Sequence, residues 1–281
     1  MFRKCICILA LTALLQGCGA TFVYNNLSMI SPWYVDDYID LDKDQDKLFQ
    51  TQLATLHQWH RQHELPEYRR LLSELLAHLD ADQLDPQFLA THLVEIRQRW
   101  TLLLDKATPA LTELALTMSD QQVSQLTTAL EKRNLERLEK ADTPSEHRAE
   151  RIESITEWMG VLTPEQTNWV SDYAARHPDQ TEISVSAHRA FQLKLKVLLQ
   201  QRTEPNFSTL FSELVANPLA TPEGAVLTLS REQNLDARIE LYRLLWSSAS
   251  DQQKASVKSR LSNFIDDIDS LIAKDTVSKG A

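Results

Sequence analysis

Five glycines in 281 residues set the first limit on this chain. Tight hairpin turns, phosphate-cradling loops and nucleophile elbows depend on glycine, because only a residue without Cβ takes positive φ freely and lets backbone and ligand approach closely. All-β and Rossmann-type architectures are excluded on that ground. At 43% hydrophobic residues, the chain still has enough apolar side chains to fold. The apolar spacing predicts helices. Leu89, Leu93, Ile96, Trp100 and Leu103 follow the rhythm of one buried helical face, as do Ala187, Phe191, Leu195 and Leu198. Leu235, Ile239, Tyr242 and Trp246 repeat it, followed by Val257, Leu261, Phe264, Ile268 and Leu271. These stripes are read as core, and the expected fold class is all-α, an array of antiparallel helices and helical hairpins.

Helix starts carry a recurring signature of a capping residue followed three positions later by Gln. It occurs at Asp42–Gln45, Asp80–Gln83, Ser119–Gln122, Thr163–Gln166, Ser230–Gln233 and Ser250–Gln253. In such a box the Ser, Thr or Asp oxygen accepts the N3 amide while the Gln side chain reaches back to the N-cap amide. Pro164 at a first helical position fits the same geometry. Breaks between helices are expected at Glu64-Leu65-Pro66, Thr108-Pro109, Asp142-Thr143-Pro144, His177-Pro178, Glu204-Pro205 and from Asn217-Pro218 to Pro222. From Glu131 to Glu153 acids and bases interleave, which predicts a solvated helical hairpin rather than a polyanion site.

The N-terminus reads as an export signal. Arg3 and Lys4 precede an apolar stretch from Ile6 to Leu15, too short for the roughly 20 residues needed to span a bilayer. That stretch closes on Leu15-Gln16-Gly17-Cys18, which resembles the lipobox of bacterial lipoproteins. The resemblance implies cleavage of residues 1–17 and acylation of Cys18, in preference to a soluble product cleaved at Gly17 or Ala20. Multiple acyl chains on one residue would anchor the protein far better than a single chain. Gly19, where Asp would favour inner-membrane retention, points to the outer membrane with the domain in the periplasm. Removal of Cys5 and Cys7 leaves Cys18 as the remaining cysteine, so disulfides, thiol nucleophiles and cysteine zinc sites drop out. Loss of Arg3 and Lys4 takes the formal charge from −10 to −12, which argues against nucleic acid as a partner. Residues 18–40 form a lipidated arm rich in Trp and Tyr, expected to pack on the helical domain of residues 41–281.

Candidate chemistry is sparse. His57, His60, His63 and Glu64 crowd one helix, and pairs three or four residues apart can chelate zinc or nickel, making His57, His60 and Glu64 the weak metal candidates. Asp36-Asp37 and Asp266-Asp267 are adjacent, so on a helix their side chains diverge by about 100° and do not form a catalytic pair. No Gly-x-Ser-x-Gly, His-Glu-x-x-His or phosphate loop is present. No catalytic residue and no cofactor is expected.

The chain resembles an uncharacterised family of bacterial envelope lipoproteins. The likeness runs through Tyr24-Asn25-Asn26-Leu27, Trp33-Tyr34-Val35-Asp36-Asp37-Tyr38, Trp59-His60-Arg61, Glu64-Leu65-Pro66-x-Tyr68, Arg133-Asn134 and Leu162-Thr163-Pro164-Glu165-Gln166. More distantly, the Leu-Thr-x-x-Gln box is similar to the motif of small helical periplasmic proteins such as the chaperone Spy and the stress regulator CpxP. What this implies is a non-enzymatic envelope lipoprotein, an interaction or chaperone-like module with an envelope protein as a possible partner. The alternatives are a metal sensor using the His57–His63 region and an enzyme whose site no motif reveals.

Overall fold

The computed structural model describes residues 18–278, and side chains from 19 to 273. The expected signal peptide therefore lies outside the described residues, as does the Cys18 side chain. The elements are α1 Cys18–Asn25, α2 Leu27–Asp36, α3 Lys43–Trp59, a π-helical turn His60–Glu64, α4 Leu65–Asp80, α5 Pro86–Thr117, α6 Asp120–Glu139, α7 Pro144–Met159, α8 Pro164–Arg176, α9 Thr181–Gln200, α10 Phe207–Ala216, α11 Pro222–Ser247 and α12 Asp251–Ser278. No strand occurs among the described residues. The fold class is all-α.

Four of the six expected capping boxes form, and they meet in pairs. Gln45 Oε1 accepts the Asp42 amide, and Gln122 Oε1 accepts the Ser119 amide. The two side-chain amides then bond each other, Gln45 Nε2 to Gln122 Oε1 at 3.1 Å and Gln122 Nε2 to Gln45 Oε1 at 2.5 Å. Each also donates to a carbonyl across the gap, Gln45 to Thr117 and Gln122 to Asp40. Gln166 and Gln253 repeat the arrangement. Their oxygens accept the Thr163 and Ser250 amides, and their nitrogens bond the opposite oxygen at 3.2 and 2.9 Å. Gln253 donates further to the Val161 carbonyl, and Gln166 to Ser248. Each side-chain amide thereby uses most of its two donors and two acceptor lone pairs, which lets it be buried without the penalty of an orphaned polar group. Gln166 is fully buried.

Apolar clusters surround these pairs. Ile39, Met118, Val123, Leu199, Phe207 and Phe211 pack beside the first. Met159, Val170, Leu241 and Leu245, with Leu79, Trp246 and Leu261 next to them, pack beside the second. Helix α12 runs along α4 and α7, α9 packs on α6 and α11, and α5 is covered by α3, α10 and α11.

Other expectations are corrected. Asp80 ends α4 instead of starting a helix: Asp82 adopts a left-handed φ of 55°, the Gln83 amide returns to the His78 carbonyl, and Asp85 caps α5. Ser230 and Gln233 lie inside α11, which Thr221 caps; the Ser230 hydroxyl accepts instead from Gln180. A further box, Thr143–Glu146, starts α7. Glu64-Leu65-Pro66 is not a break. Proline lacks the N–H for an α-type bond, and the chain passes it through a π turn in which the Leu65 amide bonds the His60 carbonyl. Pro109 likewise sits inside α5. Helices α6 and α7, expected as a hairpin, take other partners, α6 packing on α9 and α7 on α8. Ile96, Trp100, Tyr242 and Phe264 of the expected core stripes are exposed. Gly160 takes φ 81° at the end of α7, and a Cβ on Gly224 would lie 2.2 Å from the Leu219 carbonyl oxygen.

The paired boxes predict coupled energetics. Thr163→Ala should cost about 1 kcal/mol, as for a lost N-cap. Gln166→Leu orphans several buried groups at about 1–3 kcal/mol each and should cost more. Denaturant unfolding of Gln166→Leu, Gln253→Leu and the double variant should give a double-variant cost well below the sum of the singles. Strict additivity would refute the coupling.

Candidate functional site: an arm latch and an arginine-lined pocket

The sequence candidates His57 and His60 meet the arm. Tyr24 of α1 sets its ring edge-on to His57 at 4.5 Å, and its hydroxyl lies 2.9 Å from His60 Nδ1. Arg61, buried, stacks on the Tyr24 ring at 4.9 Å and donates to Asn25 Oδ1 at 3.0 Å and to the Leu271 carbonyl at 2.6 Å. One guanidinium thus ties α1 and α12 to the π turn. Burial, then the neighbouring Arg61 charge, pushes His57 below the ordinary histidine range; burial, then His57 and Arg61, does the same to His60. Both rings work here as neutral packing groups. His63 is exposed and bonds the Trp59 carbonyl.

Glu64 goes elsewhere. It is buried 3.8 Å from Arg99 Nη1, with Oε2 lacking a partner among the described residues, and burial raises its carboxyl above the usual range against the opposing pull of Arg99. Among the described residues, His57, His60 and Glu64 do not form a group whose ligand atoms all lie within 4.8 Å of one another. A three-residue group able to hold a cation is found instead at Asp142, His147 and Glu150, whose ligand atoms lie within 4.8 Å of one another. The buried His147 donates from Nε2 to the His177 carbonyl.

A different concentration of charge lies between α5, α7, α8 and α11. Arg97, Arg151, Arg231 and Arg238 line one pocket of about 330 Å³ with Tyr173, His177 and Asn234. Asp179 is the carboxylate in that lining. Among the described residues none of the four arginines forms an ion pair, although the chain has 39 acidic residues against 29 basic ones. Several arginines elsewhere are neutralised, Arg70 by Glu67, Glu74 and Glu95, Arg189 by Glu131, Arg202 by Asp120. Arg238 Nε is buried without a partner. Partial burial, then the like charge of Arg97, pulls Arg231 below the usual guanidinium value. His177 donates from Nδ1 to Asn234 Oδ1 at 2.6 Å, which fixes its ring at the pocket wall.

Arg97 and Arg231 also line a second, larger cavity of about 1020 Å³. Its walls are Trp100, Leu104 and Leu111 of α5, Phe191 and Leu195 of α9, and Phe211 and Val215 of α10. Trp100, 60% exposed, is explained here: the apolar face of α5 that reads as core in the sequence is the wall of an open groove. Sequence reasoning missed the pocket because its arginines sit on three helices. The one legible signal was Arg231 and Arg238, seven residues apart on one helical face. Arg151, which reads with the solvated charged stretch, is a wall of the site.

The architecture defines a helical protein with a basic pocket and an apolar groove that share Arg97 and Arg231 in their walls. Residues 37–222 match the model of a family of unknown function, DUF6279, and the chain belongs to that family. No curated protein and no solved structure matches it.

The latch makes arm docking pH-dependent. Because folding holds His57 and His60 below their ordinary value of 6.5, the unfolded or undocked chain binds more protons under acid conditions. Stability contributed by the neutral rings is full above that value and declines as pH falls beneath it. Protection factors of residues 18–36, corrected for the intrinsic pH dependence of amide exchange, should fall between pH 7.5 and 5.5 more than those of α8. Arg61→Ala should give the same loss of protection already at pH 7.5; unchanged protection would refute the latch.

Proposed function

We propose that this chain is a non-enzymatic lipoprotein of the bacterial cell envelope, held to the outer membrane by lipid on Cys18, with its helical domain in the periplasm serving as an interaction module. The observation that carries the reading is the arm. Directly after Cys18, α1 and α2 leave Phe22 57%, Met29 53%, Trp33 71% and Tyr34 63% exposed, while Tyr24 and Asn25 fasten the same segment to the domain. Aromatic and apolar side chains beside an acyl anchor are what a membrane interface receives well. No described helix is long and apolar enough to cross a membrane, which fits attachment by lipid and interfacial side chains.

Binding is favoured over catalysis by the composition of the pocket. Four guanidiniums with one carboxylate suit the capture of an anion, whereas acid–base hydrolysis uses a positioned pair of titrating groups. Metabolic labelling with an alkyne palmitate should mark the wild-type protein and not Cys18→Ala, and fractionation should move that variant out of the outer membrane. Equal labelling of both would overturn the anchor. Phe22→Ser/Trp33→Ser should keep the label yet leave α1 and α2 more open to protease in membrane preparations; unchanged cleavage would refute interfacial seating.

A further inference from the structure

We infer that the arginine pocket and the apolar groove are two halves of one site for an anionic phospholipid, its phosphate among Arg97, Arg151, Arg231 and Arg238 and an acyl chain in the groove. The inference rests on the reading of the chain as a membrane-held binding protein and adds the class of ligand. Two observations carry it. Among the described residues, four guanidiniums gather without ion pairs in a chain of formal charge −10, and the buried Nε of Arg238 has no partner there. Close approach of like charges is costly unless an anion joins them. Guanidinium matches phosphate oxygens in paired, charge-assisted hydrogen bonds, and four against the single Asp179 exceed what one carboxylate would balance.

The second observation is the cavity on the far side of Arg97 and Arg231. It is lined chiefly by Leu, Phe, Val and Trp side chains and is about three times the volume of the pocket. Those two arginines border both cavities, so a molecule filling both has its charge and its apolar part joined at that border. That is the layout of a headgroup and its chain. Ligand sites in general are largely apolar with a few placed polar groups, the composition that the two cavities together present. Each methylene buried would raise affinity by about fourfold.

The test uses the full-length protein in living cells fed a fatty acid carrying a diazirine, which the cells build into phospholipids. After irradiation, crosslinked peptides are mapped by mass spectrometry. Adducts of phospholipid mass are expected on α5 and α9 around Leu104 and Phe191, as well as on the arm near Cys18. Arg97→Gln/Arg231→Gln should lower the groove adducts at least about tenfold, the equivalent of losing one charge-assisted hydrogen bond or more, and leave the arm adducts unchanged. Trp100→Gln/Leu111→Gln, at exposed positions, should lower them by blocking the chain instead of the headgroup. Unshifted melting of both variants excludes misfolding as the cause.

Adducts on the arm alone would overturn the lipid site and leave the membrane-held reading standing; adducts at neither place would overturn both. Groove adducts unaffected by the arginine changes would refute recognition of the phosphate. Adducts of free fatty acid mass would refute a phospholipid as the occupant.

Discussion

A buried glutamine amide must satisfy two donors and two lone pairs, and this fold meets that demand by pointing helix starts at each other. Gln45 and Gln122, and again Gln166 and Gln253, each close their own helix N-terminus and one another's amide. The bonding leaves no freedom in the amide orientation: the N-cap N–H requires the oxygen on one side, so the nitrogen must face the partner. Helices far apart in sequence are thereby fixed start to start, with apolar clusters packed alongside. Of the helices that line the arginine pocket and the groove, α6 and α8 begin in these boxes, and α5, α7, α9, α10 and α11 pack around them.

Legibility in the sequence followed the range of the interaction. Helix class was readable because scarce glycine and helical spacing are properties of short windows, and the boxes at Asp42, Ser119, Thr163 and Ser250 were readable because a cap involves four consecutive residues. Their mutual pairing was not, since the partners lie 77 and 87 residues apart. The same local signature misled at Ser230, where Thr221 had already started a helix that carries through, and at Asp80, where a left-handed Asp82 closes one. A capping motif states that a helix can begin; neighbouring packing decides whether it does.

The candidate site was less legible than the fold. An apolar stripe on a long helix looks identical in sequence whether it faces a core or an open groove, and α5 does both: Leu89 is buried while Trp100 faces the cavity. Arginines have the same ambiguity. Arg151 sits among acids in sequence, but acids one turn away serve it only if their side chains reach it, and in three dimensions it joins Arg97, Arg231 and Arg238. The clustering of His57 and His60 admits a metal reading in the sequence, and the neighbours that arrive in the structure, Tyr24 and Arg61, come from another helix and from the adjoining turn.

The π turn at His60–Glu64 has a consequence for the phase of the long helix it interrupts. Such a turn accommodates one extra residue within an otherwise continuous α-helix, and each residue advances the helix by about 100°. Excising a single residue there would restore a uniform helix and rotate everything on one side of it relative to the other. The side of α3 that receives Tyr24 and the side of α4 that lies along α12 are therefore set against each other by one residue's worth of angle. In a rod of nearly forty residues, that small insertion works as the indexing mark that lets one end face the arm and the other face the body.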